Sequence, residues 1–194
     1  MTSLSTHLSD KELYQTDRVE VEFYKNLVLN VPLQQLIDKA SQKRNDYWGN
    51  VITYSRKVFV PLTNMCRDTC SYCTFVKHPD DPEAKIMSPQ EVLSVAREGE
   101  KKGCKELLFS LGEKPEKRYA KPRKALEALG YKTMTDYLAD MCKLVITKTS
   151  LLPHVNTGTL SQHEFIKLKN VSASMGMMLE TTSKRLTKKG GPHY

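Results

Sequence analysis

The chain has 194 residues, 39% of them hydrophobic and 27% charged, which is room for one domain, or one domain plus a short extension, with an affordable core. No run of 18 apolar residues exists, which excludes a transmembrane helix, and wholesale disorder is excluded by the same composition. The net charge is +8 and is uneven: residues 1–50 carry six bases and seven acids, the remainder 24 bases and 15 acids. A basic half can signal a polyanion partner, but these bases are scattered singly or in pairs and aromatics are only 8%, which disfavours a nucleic-acid partner. The opening Met1–Gln15 has neither a basic nor an apolar region of the secretory kind, so a cytoplasmic location, away from membranes, is expected.

In chain order, residues 1–50 read as a helical extension. Leu27, Val28, Val31, Leu33, Leu36 and Ile37 recur at roughly helical spacing, Pro32 opens a helix running toward Lys43, and Gly49-Asn50 breaks it. Lys57–Leu62 reads as a buried strand, followed by a polar loop with three cysteines. Ser88-Pro-Gln-Glu91 is a capping box with proline at the first helical position, and Gly103 suits the far end. A second strand is expected at Glu106–Leu111. A charged stretch from Gly112 to Gly130 reads as loop plus short helix, and Thr133 or Thr135 can cap the next helix. A third strand is expected near Leu151–Val155, a helix opens at the Ser161-x-x-Glu164 box, and a fourth strand is expected over Val171–Leu179. Strands alternating with helices argue for a parallel sheet. The fold class is therefore α/β, a partial (β/α) barrel with about four βα units, occupying residues 51–194.

Five cysteines, three within eight residues, are not a disulfide scaffold. Cys66-Arg-Asp-Thr-Cys70-Ser-Tyr-Cys73 directly follows the first strand, which in such a barrel is the rim where ligand loops gather. A zinc site would need a fourth ligand, and His78 is the nearby candidate. Three thiolates alone suit a four-iron cluster with one iron left open. A non-catalytic iron–sulfur module stays open at this point. Cys104 and Cys142 stand alone and read as small core residues, and Met175, Met177 and Met178 as core.

The C-x-x-x-C-x-x-C run with Tyr72 before its last cysteine resembles the radical S-adenosylmethionine superfamily. Tyr54–Thr63, Cys66–Phe75, Ser110–Glu116, Leu151–Asn156, Ser172–Thr181 and Gly190–His193 resemble its deazaflavin-forming branch, the 7,8-didemethyl-8-hydroxy-5-deazariboflavin synthases, from about residue 20 onward. Their sister subunit, which joins tyrosine to a ribitylaminouracil, has Phe where Tyr72 stands. The resemblance implies a [4Fe–4S] cluster on Cys66, Cys70 and Cys73 and S-adenosyl-L-methionine as cofactors. It places Tyr72 against the adenine, Gly112 and Glu113 at the methionine amino group, and Glu180, at the end of the fourth strand, on the ribose hydroxyls. Ser174 joins that cofactor set, with Ser172 on the same strand face, and His154 and Asn156 are candidates for substrate contacts. No side chain is singled out for the chemical step. The resemblance implies a small-molecule substrate, ring closure with loss of ammonia, and two protein partners, the sister subunit and a reductant. The sister subunit itself, and other members of the superfamily acting in menaquinone synthesis or like biotin synthase, are the alternatives. Two departures stand out: Thr157 replaces a usual proline, and the family continues past the Gly-Pro-His segment into further βα units, so the chain is expected to match the N-terminal part of such an enzyme.

Overall fold

A computed structural model describes residues 18–194 and divides the chain into two compact units that meet at Tyr54 and Ser55. The first unit holds helices α1 (Arg18–Asn30) and α2 (Leu33–Trp48). Pro32 sits just before α2 rather than inside it, which suits a residue with no N–H to give. Gly49 ends α2 at φ +58.

The second unit is a four-stranded parallel sheet in the order β1-β2-β3-β4: β1 Lys57–Pro61, β2 Glu106–Ser110, β3 Leu152–Asn156 and β4 Ser174–Gly176. Helix α3 (Pro89–Lys101) joins β1 to β2. Helices α4 (Ala120–Ala128) and α5 (Met134–Lys148) join β2 to β3, and α6 (Gln162–Lys169) joins β3 to β4. This is the α/β partial-barrel class expected from the alternation. Both capping boxes form as read: the Ser88 hydroxyl accepts from the Glu91 N–H and Ser161 from the Glu164 N–H, with each glutamate returning the bond. Thr133, not Thr135, caps α5 by accepting from the Asp136 N–H.

One face of the sheet is packed against helices. Val60, Leu107, Phe109 and Val155 meet Val92 and Ala96 of α3 and Leu138, Cys142 and Val145 of α5, all at most 1% exposed. Tyr137 is fully buried there and donates its hydroxyl to the Met87 carbonyl at 2.6 Å. Cys142 lies in this core and Cys104 packs against it, both as expected. Because strand side chains alternate, the other face carries the intervening residues, which register into layers. Lys57, Glu106 and Leu152 form the lowest, with Lys57 and Glu106 paired at 2.9 Å. Phe59, Leu108, His154 and Ser174 come next. Pro61, Ser110, Asn156 and Gly176 form the layer at the C-terminal end. Bulk therefore falls toward the strand ends, where the cysteine loop emerges.

Three expectations need correction. β4 has three residues, not nine: Val171 and Ser172 still close the end of α6, with the Val171 N–H and the Ser172 hydroxyl both donating to the Leu168 carbonyl. Ser172 is therefore committed to that helix end and does not share an inward face with Ser174. Met175 packs against the core, but Met177 and Met178 are 61% and 70% exposed, because the strand ends before them.

Candidate active site

The chain leaves β1 through Leu62 and Thr63 and turns into the cysteine loop. Thr63 is buried; its hydroxyl donates to the Lys85 carbonyl and accepts from the Met65 N–H, closing the loop base. Two residues beyond β2, Gly112 backs directly onto this loop. A Cβ there would stand 2.0 Å from the Met65 carbonyl oxygen and 2.8 Å from the Cys66 Cβ, so only glycine permits the approach.

That approach brings Glu113 to Cys66. The Glu113 N–H donates to Cys66 Sγ at 3.1 Å, the Asp68 N–H donates to the same sulfur at 3.4 Å, and the Glu113 carbonyl accepts from the Arg67 N–H at 2.9 Å. The Glu113 carboxylate turns to the neighbouring loops. It accepts from Arg67 Nη2 at 2.6 Å and from the Thr159 hydroxyl after β3. Gly158, at φ +77, makes room: a Cβ there would meet Glu113 Oε2 at 2.6 Å. Glu113 thus joins the cysteine loop to the exits of β2 and β3, and its side chain is spent on that junction. Sequence reading placed Glu113 at the cofactor and had no signal for Arg67 or Thr159.

Cys66 is half-buried and Cys73 exposed, and all three loop cysteines are free thiols. Burial raises the Cys66 thiol above its usual range, and the carboxylate of Asp68 and the neighbouring Cys70 add to it; backbone N–H donors oppose the rise. Burial, Asp68 and Cys73 raise Cys70 in the same way. Among the described residues no three His, Cys, Asp or Glu side chains converge where a single ion would sit. His78, the fourth ligand a zinc site would use, lies 3.4 Å from Asp80 and edge-on to the Tyr119 ring. In a cluster each thiolate meets a different iron, so its ligands need not converge on one point. Three free thiols on one short loop, with N–H donors already aimed at the first sulfur, fit a [4Fe–4S] group with one open iron.

The remaining sequence-predicted residues divide. Tyr72 lies edge-on to His193, with ring centroids 5.3 Å apart, and its hydroxyl is 3.4 Å from His193 Nε2. The Ser71 N–H donates to the Pro192 carbonyl at 3.2 Å, so the Gly-Pro-His segment rests on the cysteine loop. Glu180 does not end a strand. It lies four residues past β4, exposed, where its carboxylate acts on Tyr72 and Cys70; desolvation first and then Glu180 push the Tyr72 phenol up. His154 and Ser174 are brought together, with Nδ1 2.6 Å from the serine hydroxyl, and a Cβ at Gly176 would stand 3.5 Å from His154 Nε2. His154, Ser174 and Asn156 therefore share the open sheet face below the rim, whereas Tyr72 and Glu180 belong to the loop side. A cavity of about 350 Å³ between Arg67, Thr69, Cys70, Arg118 and His193 opens beside the thiols. A larger one, about 550 Å³, is lined by Arg67 of the same loop with Lys114, Thr159, Ser161 and Glu164, and by none of the cysteines.

Residues 60–194 match the Radical SAM superfamily family profile, and the chain belongs to that superfamily. Its members use a [4Fe–4S] cluster and S-adenosylmethionine. Among curated proteins, the chain is 51% identical over 148 residues to the FO synthase of Mycobacterium leprae, covering 74% of this chain and 17% of that protein. It is 47% identical over 151 residues to the 7,8-didemethyl-8-hydroxy-5-deazariboflavin synthase of Methanobrevibacter smithii, covering 77% and 43%. The namesake protein of Methanopyrus kandleri is 43% identical over 143 residues, again covering 43% of the relative. The chain thus spans less than half the length of these relatives. Among solved structures, the fold resembles the [FeFe]-hydrogenase maturase HydG (TM-score 0.62, 23% identity, 87% of this chain and 36% of that one). It also resembles methylornithine synthase (TM-score 0.59, 16% identity, 95% and 48%). Among the described residues no helix is long and apolar enough to cross a membrane.

Proposed function

We propose that this protein is a radical S-adenosylmethionine enzyme of deazaflavin formation. It would close the ring of 7,8-didemethyl-8-hydroxy-5-deazariboflavin on the adduct of tyrosine and 5-amino-6-ribitylaminouracil, with loss of ammonia. The observation that carries the reading is the cysteine loop at the end of β1, held against β2 through Gly112 and receiving the Glu113 N–H at Cys66 Sγ. Identity of 43–51% to proteins named for that product supports the branch.

In this reading residues 51–194 are the cofactor-binding part and 1–50 an extension. Cys66, Cys70 and Cys73 hold the cluster, whose bound chemistry is one-electron cleavage of the sulfonium to release a hydrogen-abstracting 5′-deoxyadenosyl radical. The Glu113 and Asp68 N–H groups stabilise negative charge at the Cys66 sulfur. Tyr72 and Glu180 flank the loop as contacts for the nucleoside, the first by stacking and the second by accepting from hydroxyls. The small layer of Ser110, Asn156 and Gly176 leaves room for substrate, and the His154–Ser174 pair presents a hydrogen-bonding edge to it. The Gly112–Glu113 backbone sets the cofactor's place through Cys66, while the Glu113 carboxylate braces the loops. The partners are a sister subunit supplying the adduct and a cytoplasmic reductant protein.

The test is anaerobic reconstitution with iron, sulfide and dithionite. Product analysis should give 5′-deoxyadenosine and, with the adduct, a fluorescent deazaflavin. Cys70→Ala should lose both cluster and cleavage; cleavage retained in that variant overturns the reading. Cleavage without deazaflavin would assign the chain to another substrate of the same superfamily.

A further inference from the structure

Eleven residues, Lys114 to Lys124, carry six bases and one acid, interrupted by Pro115, Tyr119, Ala120 and Pro122. Folding sorts them. Glu116 is buried and accepts from the Met134 N–H at 3.2 Å, so its charge faces inward. Lys114 is buried against Glu164 at 2.8 Å. Lys117, Arg118, Lys121, Arg123 and Lys124 remain exposed, and among the described residues none of the five is ion-paired. This face starts at the cysteine loop: Arg118 Nη1 donates to the Arg67 carbonyl at 2.6 Å, and Arg118 lines the cavity with Cys70. A second run, Lys184, Arg185, Lys188 and Lys189, is exposed and leads directly into Pro192 and His193, which rest on Ser71 and Tyr72. Unpaired bases therefore rise on both sides of the loop.

We propose that this basic rim is the docking surface for an acidic protein that delivers single electrons to the group held by the cysteines. The proposal rests on the cluster-bearing function argued above. An electron from outside must enter where the loop meets solvent, and Cys73 is exposed there. Opposite charge around that point both steers the encounter and orients the complex. One cofactor carboxylate needs one cation, not nine. A single-stranded nucleic acid would need stacking faces beside the bases. Here the Tyr72 face is the one proposed above for the cofactor nucleoside, and Tyr119 lies under Arg118 and against His78, so no row of free stacking faces runs beside the bases. The step itself is a bare transfer: the donor is oxidised by one electron, the cluster is reduced by one, and no bond or proton is exchanged.

The test uses the reconstituted native enzyme, reduced flavodoxin as the acidic donor, and the charge reversal Lys117→Glu/Lys121→Glu/Lys124→Glu. Calorimetric binding of oxidised flavodoxin, with and without the cluster, should weaken as salt rises. In the reversal variant it should weaken at least tenfold at low salt and lose most of its salt dependence. Flavodoxin-driven formation of 5′-deoxyadenosine should fall in parallel, while the dithionite-driven rate stays unchanged. Arginine at the three positions should bind as the native protein does. Undetectable flavodoxin binding, or equal binding by the reversal variant, overturns the proposal. So does salt-sensitive binding of a random RNA that flavodoxin fails to displace. Absence of dithionite-driven cleavage in the unaltered enzyme would instead sink the underlying function, and the docking surface with it.

Discussion

Gly112→Ala should do more damage than any other single methyl added at the rim. The new Cβ would sit 2.0 Å from the Met65 carbonyl oxygen, 2.6 Å from its carbon and 2.8 Å from the Cys66 Cβ. Comfortable carbon contacts begin near 3.5 Å, so the end of β2 and the cysteine loop must part by roughly 1 Å or more. Three hydrogen bonds cross that joint: Gly112 N–H to the Thr63 carbonyl (3.0 Å), Glu113 N–H to Cys66 Sγ (3.1 Å) and Arg67 N–H to the Glu113 carbonyl (2.9 Å). At about 1 kcal/mol each, their loss amounts to about 3 kcal/mol, the upper end of what overpacking costs in well-packed sites. Urea unfolding followed by circular dichroism measures this directly, and iron retained per chain after reconstitution reports the loop. Gly130→Ala is the control, since its Cβ meets nothing within 4 Å and only its φ of +85° is strained, at about 1–2 kcal/mol. If Gly112→Ala costs no more than the control and binds iron normally, the close approach does not organise the loop.

Glu164 gives a pH prediction. Burial raises its carboxyl, but the Lys114 ammonium and the Ser161 N–H outweigh that and hold it at about 2, below its usual 4.5. The stabilisation is complete above about 4.5 and is lost as pH falls toward 2, on the order of 2–3 kcal/mol; identical acid unfolding of the native protein and Glu164→Gln would refute it. Tyr137→Phe strands the buried Met87 carbonyl and should lower stability by about 1–2 kcal/mol; an unchanged urea midpoint would count against that bond. In the metal-free folded protein, iodoacetamide should label exposed Cys73 and spare Cys142, which is fully buried with its thiol pushed up to about 12. Equal labelling before and after unfolding would mean that the core around α5 is open.

What the sequence disclosed tracks how local each signal is. The Ser88 and Ser161 boxes were legible because the partners lie three residues apart. The strand order was legible because alternation with helices leaves few topologies. The length of β4 was not, since pairing with β3, rather than apolar composition, decides where that strand stops, and Val171–Leu179 is apolar well beyond the paired residues. The cysteine run stood out by its spacing, and the structure sets it on the loop that leaves β1. The role of the Glu113 carboxylate was hidden because Arg67 and Thr159 are 46 residues away on either side, the first at an unspecified position of the cysteine run and the second in no motif. The exposed basic faces were likewise hidden, because only the inward turn of Glu116 and the pairing of Lys114 leave the other charges unopposed.

The cysteine loop is tethered unevenly, and this governs which of its positions can drift. Cys66 and Arg67 are fixed to the β2 exit and, through Glu113, to the β3 exit. The Cys70–Cys73 end is tied by the Cys73 N–H to the Cys70 carbonyl and by contacts with Pro192 and His193. Replacements at Thr69, Ser71 or Thr74 stay local, so this is where related enzymes are free to diversify without disturbing the sheet. Replacements at Arg67, Gly112, Glu113 or Gly158 propagate across two strand ends at once. A saturation library read out by folding should therefore show a steep boundary within a loop of eight residues, permissive on one side and nearly closed on the other.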